Sequence, residues 1–247
     1  MNTFLNEIFN LEDKSAVIIG GGGYLCGEIA IALAKAGCKV SVLDLKKDKA
    51  SSVEKIINDR GLSETISLGI DVSKKEDHES CLEEILNKFG KVDVLINNAG
   101  IGERKSIEEL SIESFMKVFN VNVFGLALFT KQMVPIMKKN QGGTIINIGS
   151  TASLKGYQTG SIYASSKFAV RCLTQCWQAE LRPYNIRVCQ INPSEVTTAF
   201  GSPDRIERDE VHNKLTSKEI SHAITSAIEM DDRGFINELN VWATNPF

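Results

Sequence analysis

A doubly wound α/β domain is the fold class this sequence predicts: a parallel sheet of about seven strands with helices on both faces, formed by residues 1–247 as a single domain. Three observations predict it. Short β-branched runs alternate with amphipathic stretches along the chain, which implies parallel strands joined by right-handed crossovers. The central runs are almost wholly apolar, as expected of strands covered on both faces. Four glycines, Gly20 to Gly23, separate the first strand-like run from the first helical one.

Each element has its own signal. Ser15–Ile19 reads as a strand that ends in the glycines. Glu28–Ala36 reads as a helix stopped by Gly37. Lys39–Leu43 is the second strand, Lys49–Asp59 a helix ended by Gly61, and Thr65–Ile70 the third strand. His78–Phe89 is a helix stopped by Gly90, and Val92–Ile96 a fourth strand, apolar except at Asp93. Ile112–Lys139 is one long helical stretch, Thr144–Ile148 the fifth strand and Ser161–Leu181 a further helix. Ile186–Ile191 is the sixth strand. A polar segment follows, then a helix at Ser217–Glu229 and a last strand at Glu238–Trp242.

Bulk properties narrow the function. Hydrophobic residues make up 43% and charged residues 24%, as in an ordinary soluble protein. A net charge of −3 and a pI near 5.8 argue against a nucleic-acid surface. The six cysteines form no Cys-x-x-Cys unit and read as free buried thiols of a reducing compartment. The three histidines have no metal-ligand spacing, so no metal is expected. Met1 to Lys14 is polar and of mixed charge, unlike a signal peptide. No apolar run is read as long enough to span a membrane. The expectation is a cytoplasmic protein with neither membrane nor nucleic acid as partner.

The glycine turn, Ile18-Ile19-Gly20-Gly21-Gly22-Gly23-Tyr24-Leu25-Cys26-Gly27, would bring backbone N–H groups and a helix N-terminus against a pyrophosphate. Asp44 ends the second strand, 24 residues after Gly20. A carboxylate there can accept from both ribose hydroxyls of NAD and would repel the 2′-phosphate of NADP. NAD is therefore preferred and NADP is less favoured, with Lys46 and Lys47 as the counterweight. Further along, Tyr163 and Lys167 are four residues apart and share a helix face. Ser150 lies thirteen residues before Tyr163. A phenol, an ammonium and a hydroxyl so arranged can move one proton to or from a carbonyl oxygen. The pair alone is a weak signal; its company with the glycine turn and Asp44 gives it weight.

With these motifs in order, the sequence resembles the short-chain dehydrogenase/reductase family over nearly its whole length. Asp71-Val72 follows the third strand, where the family contacts adenine. Asn97-Asn98-Ala99-Gly100 follows the fourth, with Asn98, Ala99 and Gly100 expected at the cofactor. Asn122 in Val121-Asn122-Val123 matches the family's active-site asparagine, and Ser150, Tyr163 and Lys167 its remaining catalytic positions. Pro193-Ser194-Glu195-Val196-Thr197-Thr198 matches the segment that clamps the nicotinamide carboxamide, with Pro193, Val196 and Thr198 as contacts. Two departures stand out. The family's Thr-Gly-x-x-x-Gly-x-Gly reads Ile19, Gly20, Tyr24 and Cys26 here. The alternative spacing Gly-x-x-Gly-x-x-Gly keeps Gly20 and Gly23 and sets Tyr24 and Leu25 over the pyrophosphate. Ser194 replaces the glycine usual after Pro193.

The resemblance implies a Rossmann-type fold and an oxidoreductase that transfers a hydride between nicotinamide and a secondary alcohol or ketone, Tyr163 being the acid–base. An NADPH-dependent 3-oxoacyl-carrier-protein reductase is the alternative. A nicotinamide-binding sensor or scaffold without turnover is the alternative of another class. The resemblance also implies a lid over Phe200–Lys214, whose charge suits a small or polar substrate. It further implies a homotetramer or dimer formed through the long helices. The apolar face of Val118–Met137, with Phe119, Phe124 and Phe129, either serves that contact or packs on its own sheet.

Overall fold

The computed structural model describes residues 11–200 and 208–245. Among them a seven-stranded sheet has the order β3-β2-β1-β4-β5-β6-β7, every neighbouring pair parallel. The strands are β1 (Ser15–Ile19), β2 (Lys39–Asp44), β3 (Thr65–Gly69), β4 (Val94–Asn97), β5 (Gly143–Ile148), β6 (Ile186–Pro193) and β7 (Glu238–Val241). The helices are α1 (Tyr24–Lys35), α2 (Lys47–Asp59), α3 (Lys75–Phe89), α4 (Ile112–Phe119), α5 (Leu126–Lys139), α6 (Ser161–Leu181) and α7 (Ser217–Glu229). Two apolar clusters, one on each face, bury the sheet. One joins Ile18, Val40 and Ile96 to α1 and α7; the other joins Val17, Leu95 and Ile145 to α3 and α5. Strand order reverses between β1 and β4, which opens a crevice at their carboxyl ends.

Several boundaries differ from the sequence-based expectation. Helix α1 starts at Tyr24, not Glu28, because Gly23 serves as its N-cap and the helix rises straight out of the turn. β2 and β6 run on to Asp44 and Pro193. The stretch 112–139 is not one continuous α-helix: a π-helical turn, Asn120–Gly125, separates α4 from α5. By length and composition this stretch is apolar enough to cross a membrane, contrary to the expectation. One face is nonetheless packed on the sheet, with Phe129, Met133 and Met137 at zero exposure. Cys172 and Cys176 are exposed, not buried like the other four cysteines.

Candidate active site

The crevice begins where β1 turns. Gly20 has φ +74°, and a Cβ there would come within 3.1 Å of the Ala99 backbone nitrogen. A Cβ on Gly22 would fall 2.7 Å from Lys49 Cβ. The turn is thus wedged between the β4 loop and α2, a path open to glycine. Tyr24 and Leu25 form the first turn of α1, whose leading N–H groups have no intrahelical acceptor and whose positive dipole end faces the crevice. Cys26, at the family's last glycine position, is completely buried in the core. Gly27 takes over the close contact, with its Cβ position 3.3 Å from Val53 Cγ2 of α2.

Asp44 accepts from Gly22 N at 3.1 Å and from Lys46 N at 3.0 Å, one bond to each oxygen. Lone pairs remain for a ligand. Lys46 and Lys49 line the same end, whereas Lys47 does not. Asp71 accepts from Ser73 Oγ at 2.6 Å and Ser73 N at 3.0 Å, and the Ser73 hydroxyl holds its carboxyl below the usual range. The Val72 carbonyl bonds to His78 Nε2 at 2.7 Å. Gly125 of the π turn presses on the same carbonyl: a Cβ there would lie 2.5 Å from Val72 O.

Asn122 sits inside the π turn and is buried, with 1% exposure. Its Oδ1 accepts from Ile101 N and its Nδ2 donates to Ile101 O, both at 2.9 Å, and to Ser166 Oγ at 3.0 Å. It thereby ties the loop after Asn98-Ala99-Gly100 to α6. Alone among the predicted site residues, its side chain does not line the crevice.

At the far end, Ser150 caps a short 3₁₀ turn, Thr151–Ser153, its Oγ accepting from Ala152 N at 3.2 Å. Tyr163 and Lys167 project from the first two turns of α6. The Tyr163 phenol faces Ser150 across the crevice end; burial pushes it above its ordinary pKa, and the neighbouring Ser150 hydroxyl opposes the rise. Lys167 Nζ donates to Ile148 O at 2.7 Å, and burial brings its pKa down to about 8. The Phe200 ring packs on Tyr163 at 5.5 Å between centroids.

Pro193, Val196 and Thr198 line the wall opposite. Ser194 has a structural reason to replace glycine: its Oγ accepts from Ala243 N at 3.2 Å, beside the backbone bond from its N to Val241 O at 2.8 Å. The first bond fastens the segment to the chain just after β7 and the second fastens it to the end of β7. Arg208 clamps the same segment, donating to Thr198 O and Val196 O and pairing with Glu195. Of the lid expected over Phe200–Lys214, residues 201–207 lie outside the described residues. Glu210 accepts from the Tyr24 hydroxyl at 3.3 Å, a link from the lid end to the glycine turn. Sequence reasoning missed Lys49, Arg208 and Trp242, which also line the crevice. Lys49 was legible as a lysine at the start of the helix that follows Asp44; nothing in the sequence marked Trp242.

The crevice thus gathers a glycine turn with a helix N-terminus, a carboxylate at the end of β2 and a Ser–Tyr–Lys set. The short chain dehydrogenase family model matches residues 14–209. The chain belongs to that family. This short-chain dehydrogenase is 34% identical to trans-4-hydroxycyclohexanecarboxylate dehydrogenase of Sinomonas cyclohexanicum over 75% of this chain and 73% of the relative. It superposes on the 3-ketoacyl-(acyl-carrier-protein) reductase of Brucella melitensis complexed with NADH, with a TM-score of 0.84 and 29% identity, over 96% and 100% of the two chains. It also superposes on the alcohol dehydrogenase of Thermococcus sibiricus complexed with 5-hydroxy-NADP, with a TM-score of 0.87 and 28% identity, over 94% and 97%. The dehydrogenase is an NAD(P)-dependent oxidoreductase of alcohol- or ketone-type substrates.

Proposed function

We propose that this enzyme prefers NAD(H) and interconverts a small secondary alcohol and its ketone, with Tyr163 as acid–base. The observation that carries this reading is the meeting of Ser150, Tyr163 and a buried Lys167 at the end of a crevice that starts at Asp44. The donor set suits a dinucleotide. Gly20, Gly23, Tyr24 and Leu25 would hold the pyrophosphate, Asp44 the adenosine ribose, and Asp71 and Val72 the adenine. Asn98, Ala99 and Gly100 would line its path, with Lys167 at the nicotinamide ribose and Pro193, Val196 and Thr198 at the carboxamide. The bound nicotinamide supplies or accepts the hydride.

The protein's own residues handle the proton. Tyr163 takes it from the alcohol or returns it to the ketone. Ser150 holds the substrate oxygen and stabilises its developing charge. Below about pH 8 Lys167 keeps its charge, and an ammonium beside the phenol favours phenolate against the effect of burial. Asn122 holds the Ile101 loop and α6 in register.

Likeness to an enzyme named for a cyclic hydroxy acid supports a small polar substrate. A second reading, NADPH-dependent reduction of 3-oxoacyl thioesters, draws on Lys46 and Lys49 beside Asp44. The complete Ser–Tyr–Lys set argues against a non-catalytic sensor. A homo-oligomer built on the long helices and a cytoplasmic location complete the proposal.

The test is a fluorescence titration with NADH and NADPH, then turnover of hydroxy acids, cyclic alcohols and 3-oxoacyl thioesters. Tyr163→Phe is expected to lower kcat by about 10²–10⁴ and leave NADH affinity unchanged. Unchanged turnover in Tyr163→Phe overturns the role of the tyrosine; tenfold tighter NADPH binding, about 1.4 kcal/mol, overturns that of Asp44.

A further inference from the structure

A row of polar side chains crosses β4, β5, β6 and β7 at one level, where apolar residues would be expected. Asn97, Asn147, Gln190 and Glu238 are direct register partners, and the first three are buried to 3% exposure or less. Asn97 Nδ2 donates to Asn147 Oδ1 at 2.9 Å, and Asn147 Nδ2 to Thr174 Oγ1 at 2.9 Å. Thr174 Oγ1 meets Gln190 Oε1 at 3.1 Å, and Gln190 Nε2 donates to Asn192 Oδ1 at 2.7 Å. Asn192 Nδ2 donates to Glu238 Oε1 at 3.2 Å and Asn240 Oδ1 at 2.9 Å. The other oxygen of Glu238 accepts from Arg171 Nε at 2.8 Å.

The row has a direction, and Glu238 sets it. A carboxylate only accepts, so Asn192 must turn its NH₂ toward β7 and its carbonyl inward. That carbonyl also accepts from the backbone nitrogen of Ser150 at 3.3 Å, sharing the N–H with Ser153 Oγ at 3.2 Å. All four hydrogen-bonding positions of the Asn192 amide are then used. Gly149 seats the corner against it: a Cβ there would lie 2.2 Å from Asn192 Oδ1 and 2.6 Å from Gln190 Nε2. The turn that carries Ser150 therefore rests on the amide whose orientation is fixed from the sheet edge.

We propose that Glu238, acting through Asn192, is a positioning residue for Ser150. The proposal rests on the reading of Ser150 as the group that holds the substrate oxygen. Glu238 touches neither substrate nor cofactor. It keeps an acceptor facing the Ser150 amide and so fixes where the hydroxyl stands relative to Tyr163.

Glu238→Gln tests this at constant shape. Both oxygens of Glu238 accept, so the glutamine must set its NH₂ against the donor of Asn192 or of Arg171. The measurement is a cycle of kcat values for wild type, Glu238→Gln, Ser150→Ala and the double variant, with NADH affinity and melting temperature followed alongside. The expected result is a fall in kcat of about tenfold for Glu238→Gln, unchanged NADH affinity, and no further fall when Glu238→Gln is added to Ser150→Ala. Equal losses in both backgrounds mean a general structural effect and overturn the proposal. Unchanged kcat in Glu238→Gln overturns it alone, and unchanged kcat in Ser150→Ala overturns the reading of Ser150 with it. Should Glu238→Gln fail to fold, Asn192→Ala takes its place in the same cycle with the same criteria.

Discussion

Lys167 holds its Nζ 5.8 Å from the ring centroid of Tyr163 while donating to the Ile148 carbonyl at 2.7 Å. The ammonium is fixed from below by the end of β5 and set beside the phenol it is to influence. Burial lowers the lysine to about 8 from its ordinary 10.5. Between those values the unfolded chain holds the proton and the folded one does not, so stability from this group rises with pH there. Below about 8 both states hold it and the folded state carries the full desolvation cost. The difference in unfolding free energy, wild type minus Lys167→Met, is expected to grow in favour of wild type by about 2–3 kcal/mol from about pH 7.5 to 10. Denaturant titrations across that range check it; a flat difference means Lys167 is not depressed.

Asp44 has one oxygen on Gly22 N and the other on Lys46 N, so its charge is delivered where a ribose would sit. Asp44→Asn keeps the shape and one acceptor while removing the repulsion toward a 2′-phosphate, with Lys46 and Lys49 left at hand. The NADPH-to-NADH affinity ratio is expected to rise about tenfold or more. Paired fluorescence titrations measure it, and an unchanged ratio means the carboxylate does not select the cofactor.

Much of this architecture was legible because parallel strands and stop-signal glycines leave local marks: every predicted strand is present, and Gly90 ends its helix in the left-handed conformation. What the sequence hid depends on context. The start of α1 was obscured by Gly27, a poor helix former, which is needed for contact with Val53. The π turn has no compositional mark; it is set by tertiary packing of Gly125 on Val72 and by the bonds of Asn122 to Ile101. The fastening of Ser194 to Ala243, just past β7, joins residues 49 apart in sequence, a distance over which local patterning is silent.

Gly125 offers a test of that packing. The atom its Cβ would strike, Val72 O at 2.5 Å, is backbone and is also bonded to His78 Nε2, so it cannot give way as a flexible side chain would. Gly125→Ala is expected to cost about 1–3 kcal/mol by overpacking. In a domain of this size that lowers Tm by roughly 2–4 °C per kcal/mol. Calorimetry reads the shift. A variant that melts with wild type would mean the π turn relaxes away from Val72 without penalty.

The apolar surface of the long helices is divided between two uses. Phe129, Met133 and Met137 face the sheet, but Met116, Phe124, Leu128 and Phe168 are each more than 40% exposed. The exposed four lie on α4, the π turn, α5 and α6, and the π turn packs against each of these three helices. Isolated exposed apolar residues are ordinary, whereas a contiguous group of them marks an interaction surface. A second copy of this chain is the proposed occupant. Phe124→Glu places a charge in that surface without touching the buried face of Phe129. Its expected effect is a smaller species than wild type in sedimentation velocity at equal concentration, because a buried unpaired carboxylate costs several kcal/mol. Circular dichroism is expected to match wild type. An oligomer that withstands Phe124→Glu would place the subunit contact on another surface and leave these side chains to solvent.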